Sequence, residues 1–249
     1  MSTREFALTE LEGVGYTHGE PESALNIGMD QLQRAILYLI AFILSVAVHE
    51  FGHAWAANRL GDPTPRLQGR LTLSPLHHID PLGTIVMPLI MAFTAAPLFA
   101  WGRPVQYNPA ALSRRFSMRT GQMFVAVAGP TMNLLMALLI SVVIVAAGRL
   151  DAPPHLLNAL FRYIVQLNIS LMIFNLLPIP PLDGGSVLAW ALPRSMQHVV
   201  DFLTRYGTMI LILLVLSPAL GLPIINVIVY PIAFISGAFQ LGINLALNA

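Results

Sequence analysis

The chain has 249 residues, of which 56% are hydrophobic and only 10% are charged. Since about 25% of the residues in an ordinary soluble domain are charged, this composition excludes such a domain and indicates a polytopic membrane protein. The net charge of +1 indicates no nucleic-acid partner, and the absence of cysteine restricts any bound metal to His, carboxylate or amide ligands.

Residues 1–30 are acidic and precede the first apolar segment. Arg4 is accompanied by the acidic residues Glu5, Glu10, Glu12, Glu20, Glu22 and Asp30. We expect a flexible tail, and the absence of an apolar core argues against a signal peptide. Residues 31–249 then form a single transmembrane domain without an internal repeat.

Apolar segments fill the rest of the chain and predict an all-α membrane protein with about five to six transmembrane helices. Their approximate bounds are Gln31–Asn58, Leu82–Trp101, Gly121–Ala147, Leu157–Leu177, Val199–Leu216 and Leu222–Leu247. After the first of them, Thr64–Ser74 alternates polar and apolar residues, so that a short strand or hairpin and a plain connecting loop fit equally well.

The first apolar segment contains the sequence HEFGH at positions 49–53. Residues four apart share one face of a helix, so His49 and His53 can bind one metal ion. Glu50 can then reach a water molecule at that metal, which is the position of the general base in zinc hydrolases. A buried cluster that only forms hydrogen bonds between helices is the alternative interpretation. Ionisable groups inside a membrane are rare, which favours the metal site.

A third candidate ligand, Asp183, follows the proline-rich stretch LLPIPP at positions 176–181. Prolines prevent a regular helix there, and irregular backbone within a membrane is tolerated only where it is buried in protein or lines a wet cavity. Three protein ligands and one open position are typical of catalytic zinc. Alternatively, Asp183 caps a helix that starts at Gly184, and the two roles are compatible.

The two motifs together resemble the site-2 protease family of intramembrane zinc metalloproteases. The family pattern N-x-x-P-x-x-x-L-D-G fits Asn175 to Gly184 without a gap, and Gly129-Pro130 with Asn133 is similar to that family's core. The resemblance covers about residues 35–192. No stretch is long enough for the PDZ or CBS domain that many relatives carry, so the chain resembles a minimal member.

This resemblance implies one zinc ion held by His49, His53 and Asp183, with Glu50 as the catalytic base. Asn133 and Asn175 are implied to be polar contacts near the site, where their amides could donate hydrogen bonds to the oxyanion. The implied substrates are single-pass or other helical membrane proteins, unwound locally within the bilayer. Thr64–Ser74 or the stretch Arg103–Tyr107 could pair with the extended substrate as an edge strand.

The metal hypothesis also constrains the topology. The HExxH motif lies in the C-terminal half of Gln31–Asn58, and Asp183 lies just past the C-terminal end of Leu157–Leu177. For these ligands to meet at one depth, the two segments must run in the same direction. We therefore expect Leu82–Trp101, which Pro88 and Pro97 interrupt, to be re-entrant. Nine arginines then share the face near the metal, which the positive-inside rule makes cytoplasmic. They are Arg59, Arg66, Arg70, Arg103, Arg114, Arg115, Arg119, Arg194 and Arg205, against Arg4, Arg34, Arg149 and Arg162 on the other face.

Two other classes of protein are alternatives to the protease. A transporter that uses intramembrane His and Asp predicts an inverted repeat and does not require Glu50 beside His49. A catalytically inactive metal-binding scaffold has the same ligands, although here the complete set of ligands and base is present. The protease interpretation accounts for more of the sequence than either alternative.

Overall fold

The structure is a computed structural model that describes residues 21–94, 100–150 and 154–248. Within these residues the regular structure is helical, with no β-strand. The α-helices are α1 Pro21–Arg59, α2 Thr64–Leu67, α3 Met87–Thr94, α4 Met118–Leu150, α5 His155–Asn175, α6 Asp183–Ala191, α7 Gln197–Leu216 and α8 Asn226–Asn248.

Contacts divide the chain into a unit that ends at Ile36 and a unit that starts at Leu37. Of the first unit, the structure describes residues 21–36, which form the N-terminal part of α1. The predicted acidic tail, residues 1–30, therefore lies largely outside the described residues, and its flexibility stays a prediction. All contacts discussed below belong to the second unit.

Five helices in the described residues are long and apolar enough to cross a membrane. They are Met29–Arg59, Met118–Leu150, His155–Asn175, Arg194–Leu216 and Asn226–Asn248. Large apolar side chains remain exposed along them; Leu139 and Val142 on α4 are 59% and 66% exposed. Exposed apolar surface of this extent is typical of helices that lipid surrounds. The prediction of an all-α multi-pass membrane protein is confirmed.

The segment after the first span returns to the place where it starts. Pro81–Val86 and α3 together make 14 residues, a helical length of about 21 Å against a bilayer core of about 30 Å. The Trp101 N–H donates to the Gly83 carbonyl at 3.1 Å, and the Arg103 N–H donates to the His78 carbonyl at 2.8 Å. Residues on both sides of the segment are thus hydrogen-bonded to each other, as a re-entrant path requires. In the described residues, α4 is the one helix between α1 and α5 that is long and apolar enough to cross a membrane, so a single crossing between them would make α1 and α5 run in the same direction.

The alternative of a strand or hairpin in Thr64–Ser74 is wrong. Residues Thr64–Leu67 form a short helix with Pro65 in its first turn, and Gly69 then adopts a positive φ of 68°. The alternation buries no apolar face, because Leu67 and Leu73 are 81% and 55% exposed. In the described chain the second candidate strand, Arg103–Tyr107, also lacks a strand partner.

Small residues allow α1 and α4 to approach closely in the core. A Cβ atom on Gly52 of α1 would lie 2.6 Å from the Ala128 carbonyl oxygen of α4. Ala54 and Ala57, on the same part of α1, are fully buried. Such small-residue contacts are a common way for membrane helices to pack. They bring the backbone of α4 against the face of α1 that carries the HExxH motif.

Candidate metal centre

The two histidines of α1 lie one turn apart and face the same point. The Nε2 atoms of His49 and His53 are 3.0 Å apart. Gly129 of α4 provides the room, because a Cβ atom there would lie 2.8 Å from His49 Cε1 and would overlap the His53 ring. The helical spacing of the motif thus places both imidazoles as predicted.

Asp183 completes the cluster. Its Oδ2 lies 3.3 Å from His49 Nε2, and its Oδ1 lies 3.4 Å from His53 Nε2. Asp183 is the first residue of α6, and no side chain caps that helix, so the capping alternative does not describe its contacts. Burial by itself raises the pKa of the Asp183 carboxyl, but the nearby histidines lower it to about 2. The carboxyl is therefore ionised, which is the form that binds a metal.

The hydrogen bonds of the two imidazoles determine which nitrogens carry protons. His53 Nδ1 is 2.8 Å from the Val125 carbonyl oxygen, and His49 Nδ1 is 2.7 Å from Asn133 Oδ1. Both partners are acceptors, so each Nδ1 carries a proton and donates it. In the neutral imidazoles the Nε2 lone pairs are then free and directed at each other.

This donor set fits a metal ion. Two nitrogen atoms and one carboxylate oxygen, all within 4.8 Å of one another, converge on one point. Asp183 Oδ2 is buried and has no hydrogen-bond partner in the described residues. With both imidazoles neutral, the two lone pairs and the negative charge in this arrangement repel one another, and either a proton or a metal ion between them removes the repulsion. Two His and one carboxylate are a donor set of catalytic zinc sites, with one coordination position open.

Glu50 faces the same cavity and is held by the loop that follows the re-entrant segment. Its Oε2 accepts a hydrogen bond from the Val105 N–H at 2.9 Å. The cavity measures about 620 Å³ and also contains His49, His53 and Asp183. Its walls are largely apolar, and four spanning helices contribute to them with the residues Phe42, Val46, Val125, Ala126, Leu171, Phe174, Leu211 and Ile212.

Comparison with known proteins identifies the family of the chain. The model of peptidase family M50 matches residues 37–150 and 150–216. The chain belongs to peptidase family M50. This is the site-2 protease family, so the resemblance derived from the two motifs is confirmed. No solved structure matches the chain.

Several relatives carry zinc metalloprotease names. "Putative zinc metalloprotease YwhC" of Bacillus subtilis is 36% identical over 187 residues, which cover 72% of this chain and 80% of the relative. "Putative zinc metalloprotease Rip2" of Mycolicibacterium smegmatis is 30% identical and covers 75% of this chain and 69% of the relative. Rip2 of Mycobacterium tuberculosis is 32% identical with the same coverage.

The two asparagines that the resemblance implies at this M50 site have different surroundings. Asn133 is fully buried, and its Nδ2 donates to the Ser45 carbonyl at 3.2 Å and to Asn168 Oδ1 at 2.7 Å. Both amide hydrogens are thus occupied, which leaves Asn133 none for a reacting oxygen. Asn175 lines the cavity and donates one hydrogen to the Leu171 carbonyl at 3.0 Å. Its other amide hydrogen has no acceptor in the described residues.

Tyr107 is a further polar residue of the M50 cavity that the motifs do not identify. Burial raises the pKa of its phenol, the charge of Asp183 raises it further, and a hydrogen bond with Gln122 lowers it in part. The phenol therefore stays protonated at neutral pH and lies near the ligands as a neutral polar group.

Ser45 and Asn168 were also missed. Both are fully buried in spanning helices and are hydrogen-bonded to Asn133, which contacts His49. The sequence does contain a signal for these two residues, because polar side chains within apolar spans are energetically costly and are usually functional. Their positions in the sequence do not indicate that they lie together in the fold, since 123 residues separate Ser45 from Asn168.

Proposed function

We propose that this chain is an intramembrane zinc endopeptidase that cleaves the transmembrane segments of membrane-protein substrates. The observation that carries the proposal is the convergence of His49, His53 and Asp183 beside Glu50, in an apolar cavity between spanning helices. A binding scaffold would require the ligands but would not require a carboxylate base beside them.

The three ligands would hold zinc, which acts as a Lewis acid on a carbonyl and lowers the pKa of water to about 7. Glu50 takes the proton of the attacking water and returns it to the leaving amine. The Val105 N–H holds Oε2 of this carboxylate, so that Oε1 is free to act as the base. Asn175 supplies its free amide hydrogen to the oxygen on which negative charge develops.

The lining of the cavity favours an apolar substrate segment in an extended conformation. Pro104, Val105 and Tyr107 line it beside Glu50, and the stretch that contains them has no strand partner in the described residues. An extended substrate segment would pair with backbone groups of this stretch, although the Val105 N–H is already bound to Glu50. Substrates of this kind are single-pass or other helical membrane proteins that unwind locally.

The distribution of arginine supports a cytoplasmic position of the metal end. With Pro81–Thr94 re-entrant, the C-terminal end of α1, the loops up to Arg119 and the connection to α7 lie on one side. That side carries nine arginines, whereas Arg149, in the last turn of α4, and Arg162 of α5 lie toward the other side. Under the positive-inside rule, the side with nine arginines is cytoplasmic.

The test uses the purified full-length protein in detergent with a panel of single-pass transmembrane segments. Glu50→Gln should retain about one zinc per chain and lose cleavage, because only the base is removed. Asp183→Ala should lose both zinc and cleavage. Asp201→Ala, which removes an exposed carboxylate on α7, is the matched control and should retain both. Cleavage by Glu50→Gln would refute the assigned base, and full zinc content in Asp183→Ala would refute the third ligand.

A further inference from the structure

A buried polar network connects three spanning helices behind the metal centre. Ser45 of α1, Asn133 of α4 and Asn168 of α5 have no exposed surface. Within a membrane, each of these polar side chains needs internal partners, because no water is available. The metal ligands themselves do not explain the presence of Ser45 and Asn168, since neither residue touches the metal position.

Backbone carbonyls fix the orientation of both amides. A carbonyl oxygen only accepts, so the atom that faces it must be the amide nitrogen. Asn168 Nδ2 lies 2.8 Å from the Ile164 carbonyl oxygen, and Asn133 Nδ2 lies 3.2 Å from the Ser45 carbonyl oxygen. Asn168 Oδ1 then accepts from Asn133 Nδ2 at 2.7 Å.

Ser45 closes the network through its hydroxyl. Ser45 Oγ donates to the Ala41 carbonyl at 2.7 Å and accepts from Asn168 Nδ2 at 2.8 Å. Every hydrogen of the two amides therefore has an acceptor. Because the Asn133 amide cannot flip without losing two of these bonds, its Oδ1 must face His49 Nδ1.

We propose that Asn168 and Ser45 are positioning residues of the metal centre. They hold the Asn133 amide in the one orientation that accepts the Nδ1 proton of His49, so that Nε2 of this ring is directed to the metal. The part of this inference that concerns zinc rests on the proposed function. The orientation of His49 rests on the hydrogen bonds alone.

His53 provides an internal comparison, because its Nδ1 proton has a different acceptor. That proton goes to the Val125 carbonyl oxygen at 2.8 Å, a backbone group outside the network. A change confined to the network should therefore affect His49 and leave His53 as it was. A general loss of structure would affect both rings.

The experiment follows the imidazole N–H signals of the full-length protein labelled with ¹⁵N in histidine, with and without zinc. In the wild type, the Nδ1–H signals of both His49 and His53 should be protected from exchange with solvent. In Asn168→Leu the His49 signal should shift and exchange at least tenfold faster, while the His53 signal stays in place. Ser45→Ala should give a smaller change in the same direction, and this variant carries the test if Asn168→Leu does not fold.

The zinc dissociation constant, measured against a chromophoric chelator, is the second readout. It should rise by about 10- to 100-fold in Asn168→Leu, as is typical when the partner behind a ligating histidine is removed. Ser141→Ala is the matched control, because Ser141 Oγ makes the same bond to a carbonyl four residues earlier, at 2.7 Å, outside the network. It should leave both readouts unchanged.

Two results would overturn the inference. One is an unchanged His49 signal in both network variants, and the other is an equal change of the His49 and His53 signals. If the wild type binds no zinc, the proposed function fails. The metal-free spectra then still decide whether Asn168 and Ser45 orient His49.

Discussion

Gly207 of α7 lies directly against the backbone carbonyl of Pro180, in the loop that leads to Asp183. A Cβ atom at Gly207 would overlap the Pro180 carbonyl oxygen. Pro180 also touches Gly185 of α6, where a Cβ atom would lie 2.8 Å from the Pro180 nitrogen. The loop is thus held between glycines of two helices, so α7 contributes to the position of Asp183.

Substituting Gly207→Ala should weaken the metal centre. An alanine in a helix is normally more stable than glycine by about 0.5–1 kcal/mol. Here the added methyl group must displace the Pro180 backbone, and overpacking of this kind costs about 1–3 kcal/mol. We expect a lower thermal midpoint and weaker zinc binding, measured on the purified protein. Gly237→Ala in α8 is the control, because nothing lies within 4 Å of its added Cβ. Equal behaviour of the two variants would contradict the prediction.

Substituting Asn175→Ala should lower turnover and leave zinc bound. Asn175 has a free amide hydrogen in the cavity, and loss of one oxyanion donor reduces kcat by about 100- to 1000-fold. Zinc content measured together with kcat separates this effect from loss of the metal. Asn158→Ala, in the first turn of α5 and outside the cavity lining, should retain full activity. An Asn175→Ala enzyme with normal kcat would exclude this role.

Asp62 should stabilise the protein in a pH-dependent manner. It is fully buried and accepts hydrogen bonds from Thr64 N–H at 3.0 Å and from Asn108 N–H at 2.6 Å. Burial alone raises the pKa of Asp62, but the hydrogen bonds from Thr64 and Asn108 bring it below its ordinary value. Because the folded-state pKa is lowered, the stabilisation is complete above the unfolded-state value of about 4 and is lost as the pH falls further.

The measurement for Asp62 compares thermal unfolding of the wild type and Asp62→Asn. At pH 7 the variant should be less stable by about 1–3 kcal/mol, since charged hydrogen bonds are lost. At pH 3 the difference should shrink, because below about pH 4 the unfolded wild type takes up a proton at this carboxyl more readily than the folded protein does. A difference that grows on acidification would contradict the assigned sign. Asp201→Asn, an exposed carboxylate, should show little effect at either pH.

Single cysteines should report the re-entrant path, since the chain has no cysteine of its own. Leu67 and Leu150 are 81% and 83% exposed, and Phe116 is 45% exposed. With Pro81–Thr94 re-entrant, cysteines at 67 and 116 should react with an impermeant reagent from the same side. A cysteine at 150 should react from the other side, because α4 crosses between. Labelling of positions 67 and 116 from opposite sides would refute the path.

Much of the metal centre follows from local rules of the sequence. A helix brings residues four apart to one face, so His49 and His53 had to share a face wherever α1 packs. The two ligand motifs also required parallel α1 and α5, and this requirement together with Pro88 and Pro97 predicted the re-entrant segment. These predictions depend on helical periodicity, on the positions of prolines and on chain direction. Each of these can be read from the sequence without knowing which residues are neighbours in the folded structure.

Other predictions failed or were not made because they depend on partners distant in sequence. The alternation in Thr64–Ser74 suggested a strand, yet no neighbouring strand in the described residues pairs with it, and Leu67 is exposed. Asn133 was expected to donate to the oxyanion, but its hydrogens are bonded to Ser45 and Asn168. An asparagine side chain can donate hydrogen bonds to substrate, accept them, or hold another residue in place. Only its neighbours in the folded structure determine which of these roles it has.

The sequence alone thus determined which residues can bind metal and which can act as a base, because these capacities belong to the side chains and their helical spacing. Only the tertiary structure decided that the network of Ser45, Asn133 and Asn168 orients His49. It also decided that α7 holds the loop before Asp183. The physical reason is that hydrogen-bond satisfaction and close packing involve residues far apart in the chain, such as His49 and Asn133, which are 84 positions apart, and local patterns contain no information about such pairs.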